Sequence, residues 1–144
     1  MSVGRICSRV VATASASETI RKAARRMADH DVGTLVIVSD HPQRAIGIVT
    51  DRDLTVRCIA ARLDPDETAI SAVMTTPVHS VDEHQPVEDA VAIMGRAGTR
   101  RLVVTGENQR VAGLLSIDDL LGVAVEEAAA IGHLLEQQKP RIPA

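Results

Sequence analysis

The feature that most constrains this chain is an internal duplication. Gly47-Ile48-Val49-Thr50-Asp51-Arg52-Asp53 returns as Gly113-Leu114-Leu115-Ser116-Ile117-Asp118-Asp119, 66 residues on. Each copy reads glycine, two aliphatics, a hydroxyl residue, two spacers and aspartate. The glycine admits a close approach to the backbone, and the aliphatics suit a buried strand. Upstream, matches continue at an offset of 67: Val11 with Val78, Ala23 with Ala90, Met27 with Met94, and Leu35-Val36 with Leu102-Val103. The change of offset falls in a polar stretch (Ser39–Arg44, Gly106–Arg110), where deletions disturb least. Two like units are therefore expected, each longer than a solenoid repeat.

Each unit reads as β-α-β-β-α. The apolar stretches Arg9–Ala12 and Val78–Val81 are expected as first strands. Ile20, Ala23, Ala24 and Met27 recur at helical spacing, as do Val87, Ala90, Val91 and Met94. Ser17 is the expected cap of the first helix, and Pro86 suits the first turn of its counterpart. Leu35–Val38 and Leu102–Thr105 are short enough for buried strands; the glycine-led strands follow, and second helices start near Asp51 and Asp118. The fold class is α/β (α+β). Its units are expected at 5–61 and 74–123, joined by a linker at 62–73 that Pro65 and Pro77 punctuate. Residues 124–144 are expected as a C-terminal helix and tail, helical to about Gln138 and stopped by Pro140 and Pro143.

Composition narrows the function. An apolar content of 45% with 24% charge reads as an ordinary globular chain, and a net charge of −3 argues against a nucleic-acid partner. No apolar run is long enough for a membrane span, and the start lacks a signal-peptide core, so a cytoplasmic location is the default expectation. Cys7 and Cys58 make no disulfide framework, and Cys58 is expected as a small buried hydrophobe. There is no Phe, Trp or Tyr, so a planar ligand must be gripped by aliphatic walls. Base-stacking binders of single strands are disfavoured for the same reason. His79, Asp82 and His84 lack a third ligand at convincing spacing, so no metal is expected. No catalytic Ser/His/Asp or paired-carboxylate set stands out, and the alanine-rich tail lacks the basic face of a membrane-surface helix.

Thr50-x-x-Asp53 and Ser116-x-x-Asp119 have the form of a helix capping box, in which hydroxyl and carboxylate satisfy free backbone N–H groups. Their recurrence after a glycine-led strand, in matching β-α-β-β-α units, resembles the CBS domain (the cystathionine-β-synthase repeat). Two in tandem resemble the CBS pair, or Bateman module, over roughly Arg5 to Val123, including Met74-Thr75 and the Thr-Asp-Arg-Asp-Leu run at 50–54. The resemblance implies two repeats packed about a pseudo-twofold axis, with two clefts for adenosine-containing ligands. In these clefts the aspartate takes the ribose hydroxyls and the Thr or Ser hydroxyl takes a phosphate. An acceptor-only carboxylate suits a vicinal diol, each such bond being worth about 1.5–3 kcal/mol. Helix N-termini add a field that favours phosphate.

Carried onto this sequence, the first site joins Thr50 and Asp53 to Val78, His79, Thr99, Arg100 and Arg101. The second joins Ser116 and Asp119 to Cys7, Val11, Ala12, Val32 and Gly33. Val11, Val32 and Val78 are the expected adenine walls. Arg100-Arg101 correspond to Gly33-Thr34, so the first site is expected to prefer phosphorylated adenosine. The resemblance thus implies a stand-alone, non-catalytic regulatory module that takes AMP, ADP or ATP as a regulatory ligand without an obligatory cofactor. It also implies a homodimer formed through the module helices and an unidentified partner protein. Two alternatives stay open: a constitutive interaction scaffold whose motifs are only caps, and a redox or enzymatic protein using Cys7 or His79.

Overall fold

Two three-stranded sheets carry the duplication into space. The computed structural model describes residues 1–143. In the first unit β1 (Thr13–Ser15) runs parallel to β2 (Thr34–Val38), which pairs antiparallel with β3 (Ala45–Thr50). In the second unit β4 (Ser80–Asp82), β5 (Arg101–Thr105) and β6 (Val111–Ser116) repeat that order. Even the irregularities match, falling at Ile37/Val38 and at Val104/Thr105. α1 (Ile20–His30) and α3 (Val87–Ala97) join the parallel strands. After β3, the single turn α2 (Asp51–Asp53) passes into a π-helical stretch, Leu54–Ile59. After β6, α4 (Ile117–Gln137) runs on as one regular helix. The expected α/β class and element order both hold.

The central strands are apolar through their middles because both of their faces are covered there. Leu35, Val36 and Ile37, like Leu102, Val103 and Val104, are fully buried. Ile20, Ala23 and Met27 of α1 point into the first core, and Ala90 and Met94 of α3 into the second. Ala24 and Val91 point outward instead, since each helix buries a stripe narrower than the apolar pattern. Thr19 caps α1, accepting a hydrogen bond from the Lys22 N–H, while Ser17 sits in the preceding turn with its Oγ against that of Ser15. Pro86 occupies the N-cap of α3, not its first turn. The first strand also starts later than its apolar run suggests. Arg9–Val11 does not join the sheet, and Ala12 does so only through its carbonyl, which accepts from the Val36 N–H; Arg9 instead bonds Glu83 and two carbonyls, and Val10 is 87% exposed.

Each core is completed by chain from outside its own strands and helices. Val3 and Cys7 pack with Val81, Ala90, Leu102 and Leu115 of the second unit. Ile70 and Val73 pack with Ile20, Leu35, Val49 and Leu54 of the first. Backbone bonds fasten both straps: Val3 and Gly4 donate to the carbonyls of Gln85 and Glu83, and Ile70 donates to that of Glu18. Ser8 then bridges to Leu114 of β6, as Thr75 bridges to Ile48 of β3. These crossings explain the glycine that opens each motif. A Cβ on Gly47 would lie 2.6 Å from Met74 Sδ, and one on Gly113 would lie 2.7 Å from Cys7 Sγ and 2.8 Å from the Ser8 carbonyl oxygen.

Candidate functional site

Both hydroxyl–aspartate pairs form complete capping boxes where strand becomes helix. Thr50 Oγ1 accepts from the Asp53 N–H at 3.2 Å, and Asp53 Oδ2 accepts from the Thr50 N–H at 2.9 Å. Ser116 and Asp119 repeat this at 3.2 and 2.7 Å, and the Ser116 hydroxyl also donates to Asp119 Oδ2. The first N–H of each following helix is met by the opposite end of the same unit: Asp51 donates to the Gly33 carbonyl, and Ile117 to that of Arg100. Gly33 and Arg100 are therefore structural counterparts. Gly33 leaves room for the Asp51 carboxylate, 3.1 Å from where a Cβ would sit, whereas Arg100 carries a cation to the same place.

Beside Thr50 and Asp53 lies a cavity of about 340 Å³, at the lower end of the range for small-molecule sites. All seven residues expected in the first site line it: Thr50, Asp53, Val78, His79, Thr99, Arg100 and Arg101. They come from the β3–α2 junction, the segment just before β4, and the α3–β5 turn with the start of β5. Three cationic side chains (Arg52, Arg100 and Arg101) and His79 surround a single carboxylate, Asp53. Asp53 is 16% exposed, and its second oxygen, Oδ1, lies 3.7 Å from Arg57 Nε. With two oxygens and about four lone-pair positions, it keeps acceptor capacity after capping. The apolar side of the cavity is Ile48, Pro77 and Val78, an aliphatic wall.

The counterpart residues of the second unit do not gather in this way. Val11, Ala12 and Val32 share a cavity of about 370 Å³ with Val10, Thr13, Arg26 and His30. Ser116, Asp119, Cys7 and Gly33 do not line it. Cys7 is instead a buried free thiol against Gly113, its pKa pushed up mainly by burial. Such a thiol is a poor nucleophile. Cys58 is buried in the first core as expected. A larger trough, about 670 Å³, runs along the β2–β3 loop; of its charged residues Glu18 and Arg26 are already paired to each other, and Asp40 is the third. Among the described residues no group of His, Cys, Asp or Glu could hold a metal ion, and no helix is long and apolar enough to cross a membrane.

Sequence reasoning missed Ile48, Arg52, Thr75, Pro77 and Gly98 as walls of the first cavity. Arg52 was in view inside the motif, as one of its two spacers. Thr75 and Pro77 follow from the strap crossing, which no local pattern announces.

Comparison with known proteins gives this geometry a family. The model of the CBS domain matches residues 3–58 and again 70–126. The chain belongs to the CBS domain family. Its CBS units are 36% identical over 123 residues to the uncharacterized protein MK0525 of Methanopyrus kandleri, covering 85% of this chain and 62% of that one. The CBS domain-containing protein YhcV of Bacillus subtilis is 36% identical over 110 residues, 76% of each chain. The CBS domain protein PAE2072 from Pyrobaculum aerophilum, solved in complex with AMP, superposes with a TM-score of 0.76 at 30% identity. That match covers 90% of this chain and 99% of the other. The chain is a CBS pair, and its two CBS units are the two halves of the duplication.

Proposed function

We propose that this CBS pair is a regulatory module that binds a phosphorylated adenosine ligand in the cleft lined by Thr50, Asp53, Val78, His79 and Thr99–Arg101. The observation that carries the reading is the convergence of those residues, from three separated stretches, on one cavity with surplus positive charge. The AMP complex of the 30% identical P. aerophilum protein supports the same class of ligand. In this reading Asp53 accepts the ribose hydroxyls, the arginines take phosphate, and Val78 with Ile48 covers the base. The second cleft, with its motif outside the cavity and no Arg pair, binds weakly or takes an uncharged ligand. Thr50 and Asp53 are committed to each other and to the helix, which suits holding a ligand and not attacking one. In this reading two copies pair through exposed helices, and occupancy changes the affinity for a partner protein. The shift is bounded by the ligand's differential affinity for the two states.

One observation favours a different reading. Both capping boxes close through bonds of the chain itself, as a constitutive scaffold requires. A thermal-shift panel of AMP, ADP, ATP, NAD, S-adenosylmethionine and adenosine separates the two. Ligand at 100 times its Kd should add about 2.7 kcal/mol of stability. Asp53→Asn keeps an oxygen that can accept from the Thr50 N–H but removes the charge, so affinity should fall roughly ten- to hundredfold while the melting point barely moves. Arg100→Ala should weaken ATP and leave adenosine unchanged. Silence across the panel favours the scaffold.

A further inference from the structure

Beyond Val123 the C-terminal helix leaves the body of the molecule: every residue from Ala124 to Gln137 is exposed. Val125 is 67%, Ile131 59% and Leu135 61% exposed, and Leu121 just before them 56%. An isolated helix of this length is marginal in water, since helices in proteins draw most of their stability from a packed apolar face. Leu121, Val125, Ala128, Gly132 and Leu135 recur in alternating steps of four and three, the spacing of a seam between two helices. Glu126 and Glu127 fall on the far side of the helix.

We propose that this stripe is where two copies of the chain pair, with the helices antiparallel and crossing at Ala128. The inference rests on the pairing of copies proposed above and names its surface. Three features select a second copy as the occupant. Widened by its neighbours Ala124 and Ile131, the apolar face is a palindrome: Leu121 and Leu135 lie seven residues from Ala128, Ala124 and Gly132 four, and Val125 and Ile131 three. A two-fold contact demands such self-complementarity. The charges are complementary in the same register. α4 carries Asp118, Asp119, Glu126, Glu127 and Glu136 with no Lys or Arg, while Lys139 and Arg141 follow its end. Antiparallel pairing sets the basic end of one copy beside the acidic first turn of the other, whereas parallel pairing stacks like on like. Finally, a Cβ on Gly132 would meet nothing within 4 Å in its own chain. Glycine there weakens the helix without serving its own fold. Opposite Ala124 of a second copy, it admits close backbone approach.

Single-cysteine variants of the full chain test the register, the native Cys7 and Cys58 being buried. Under mild oxidation Ala128→Cys should cross-link to itself. Leu121→Cys should cross-link only when mixed with Leu135→Cys. Ile131→Glu with Leu135→Glu should halve the sedimentation mass and lower the far-UV helical signal, with nucleotide titrations of the first cleft unchanged. Self-linking of Leu121→Cys, or no cross-link of Ala128→Cys, overturns the antiparallel register. A dimer that survives Ile131→Glu/Leu135→Glu but falls apart with Val91→Glu, on the exposed face of α3, overturns the surface and keeps the pairing. A monomeric wild type overturns the pairing itself.

Discussion

Gly47 and Gly113 hold the same place in the duplicated motif, yet they are not equally replaceable. The atom that a Cβ on Gly47 would strike is Met74 Sδ, near the end of a flexible side chain that can swing aside. On Gly113 the obstacle includes the Ser8 carbonyl oxygen, which is held by its bridge to Leu114. Gly113→Ala is therefore expected to cost about 1–3 kcal/mol, as overpacking does, and Gly47→Ala distinctly less. Urea denaturation of the two variants checks the order, and equal losses would mean that the strap yields as easily as the methionine. The single-residue signals of the sequence were legible to this depth. Thr50, Asp53, Ser116 and Asp119 read as caps, and they are caps. The glycine read as a place of close approach, but what approaches it came from a distant segment.

At the scale of elements, the shortest strand of the first unit is held by an ion pair. Glu18 accepts from the Ser15 N–H at 2.8 Å and from Arg26, and Arg26 also donates to the Thr13 carbonyl. Both ends of the three-residue β1 are thus fastened, Thr13 to Arg26 of α1 and Ser15 to Glu18 in the turn before it. The hydrogen bond from Arg26 holds the Glu18 carboxyl below its ordinary pKa, against the opposing effect of burial. A carboxylate with a lowered folded-state pKa stabilises the fold above its unfolded value of about 4.3 and loses that contribution as the pH falls through the folded value. Glu18→Gln is expected to be about 0.5–1 kcal/mol less stable than wild type at pH 7 and to converge with it near pH 3. Stability measured by urea at both pH values decides it, and a difference that persists at pH 3 would count against the ion pair. The second unit does the same work without a charge, Gln85 accepting from the Asp82 N–H. The acid loss should therefore be confined to the first unit. Elements were largely readable, because helical and strand periodicities are local. The start of β1 was not, because Val10, Val11 and Ala12 look like a buried strand and instead form a cleft wall.

For the whole molecule, the straps decide how the two units depend on each other. The second unit is completed by Val3 and Cys7, which precede every strand of the first unit, while Ile70 and Val73 complete the first unit just before the strands of the second begin. Sequence offsets reveal that two units exist but carry no record of this exchange, since Val3 and Ile70 look like ordinary apolar residues until a core receives them. The same exchange builds the cleft: Thr75 bridges to Ile48, and both line the first cavity beside Pro77. A ligand there would touch the first unit's strand and the strap leading into the second at once. Val3 is fully buried, and burying a valine contributes about 1.5–3 kcal/mol. Removing residues 1–8 takes away Val3, Cys7 and their backbone bonds together, leaving Leu115 and Gly113 uncovered. That deletion is expected to abolish amide protection in β4, β5, β6 and α3 first, although these lie more than seventy residues from the cut, and to spare β1–β3 at low denaturant. Hydrogen exchange resolved along the chain would show it. Uniform loss over both units would mean that they fold as one cooperative body, and undiminished protection of β6 would mean that the strap merely rests on a core already complete.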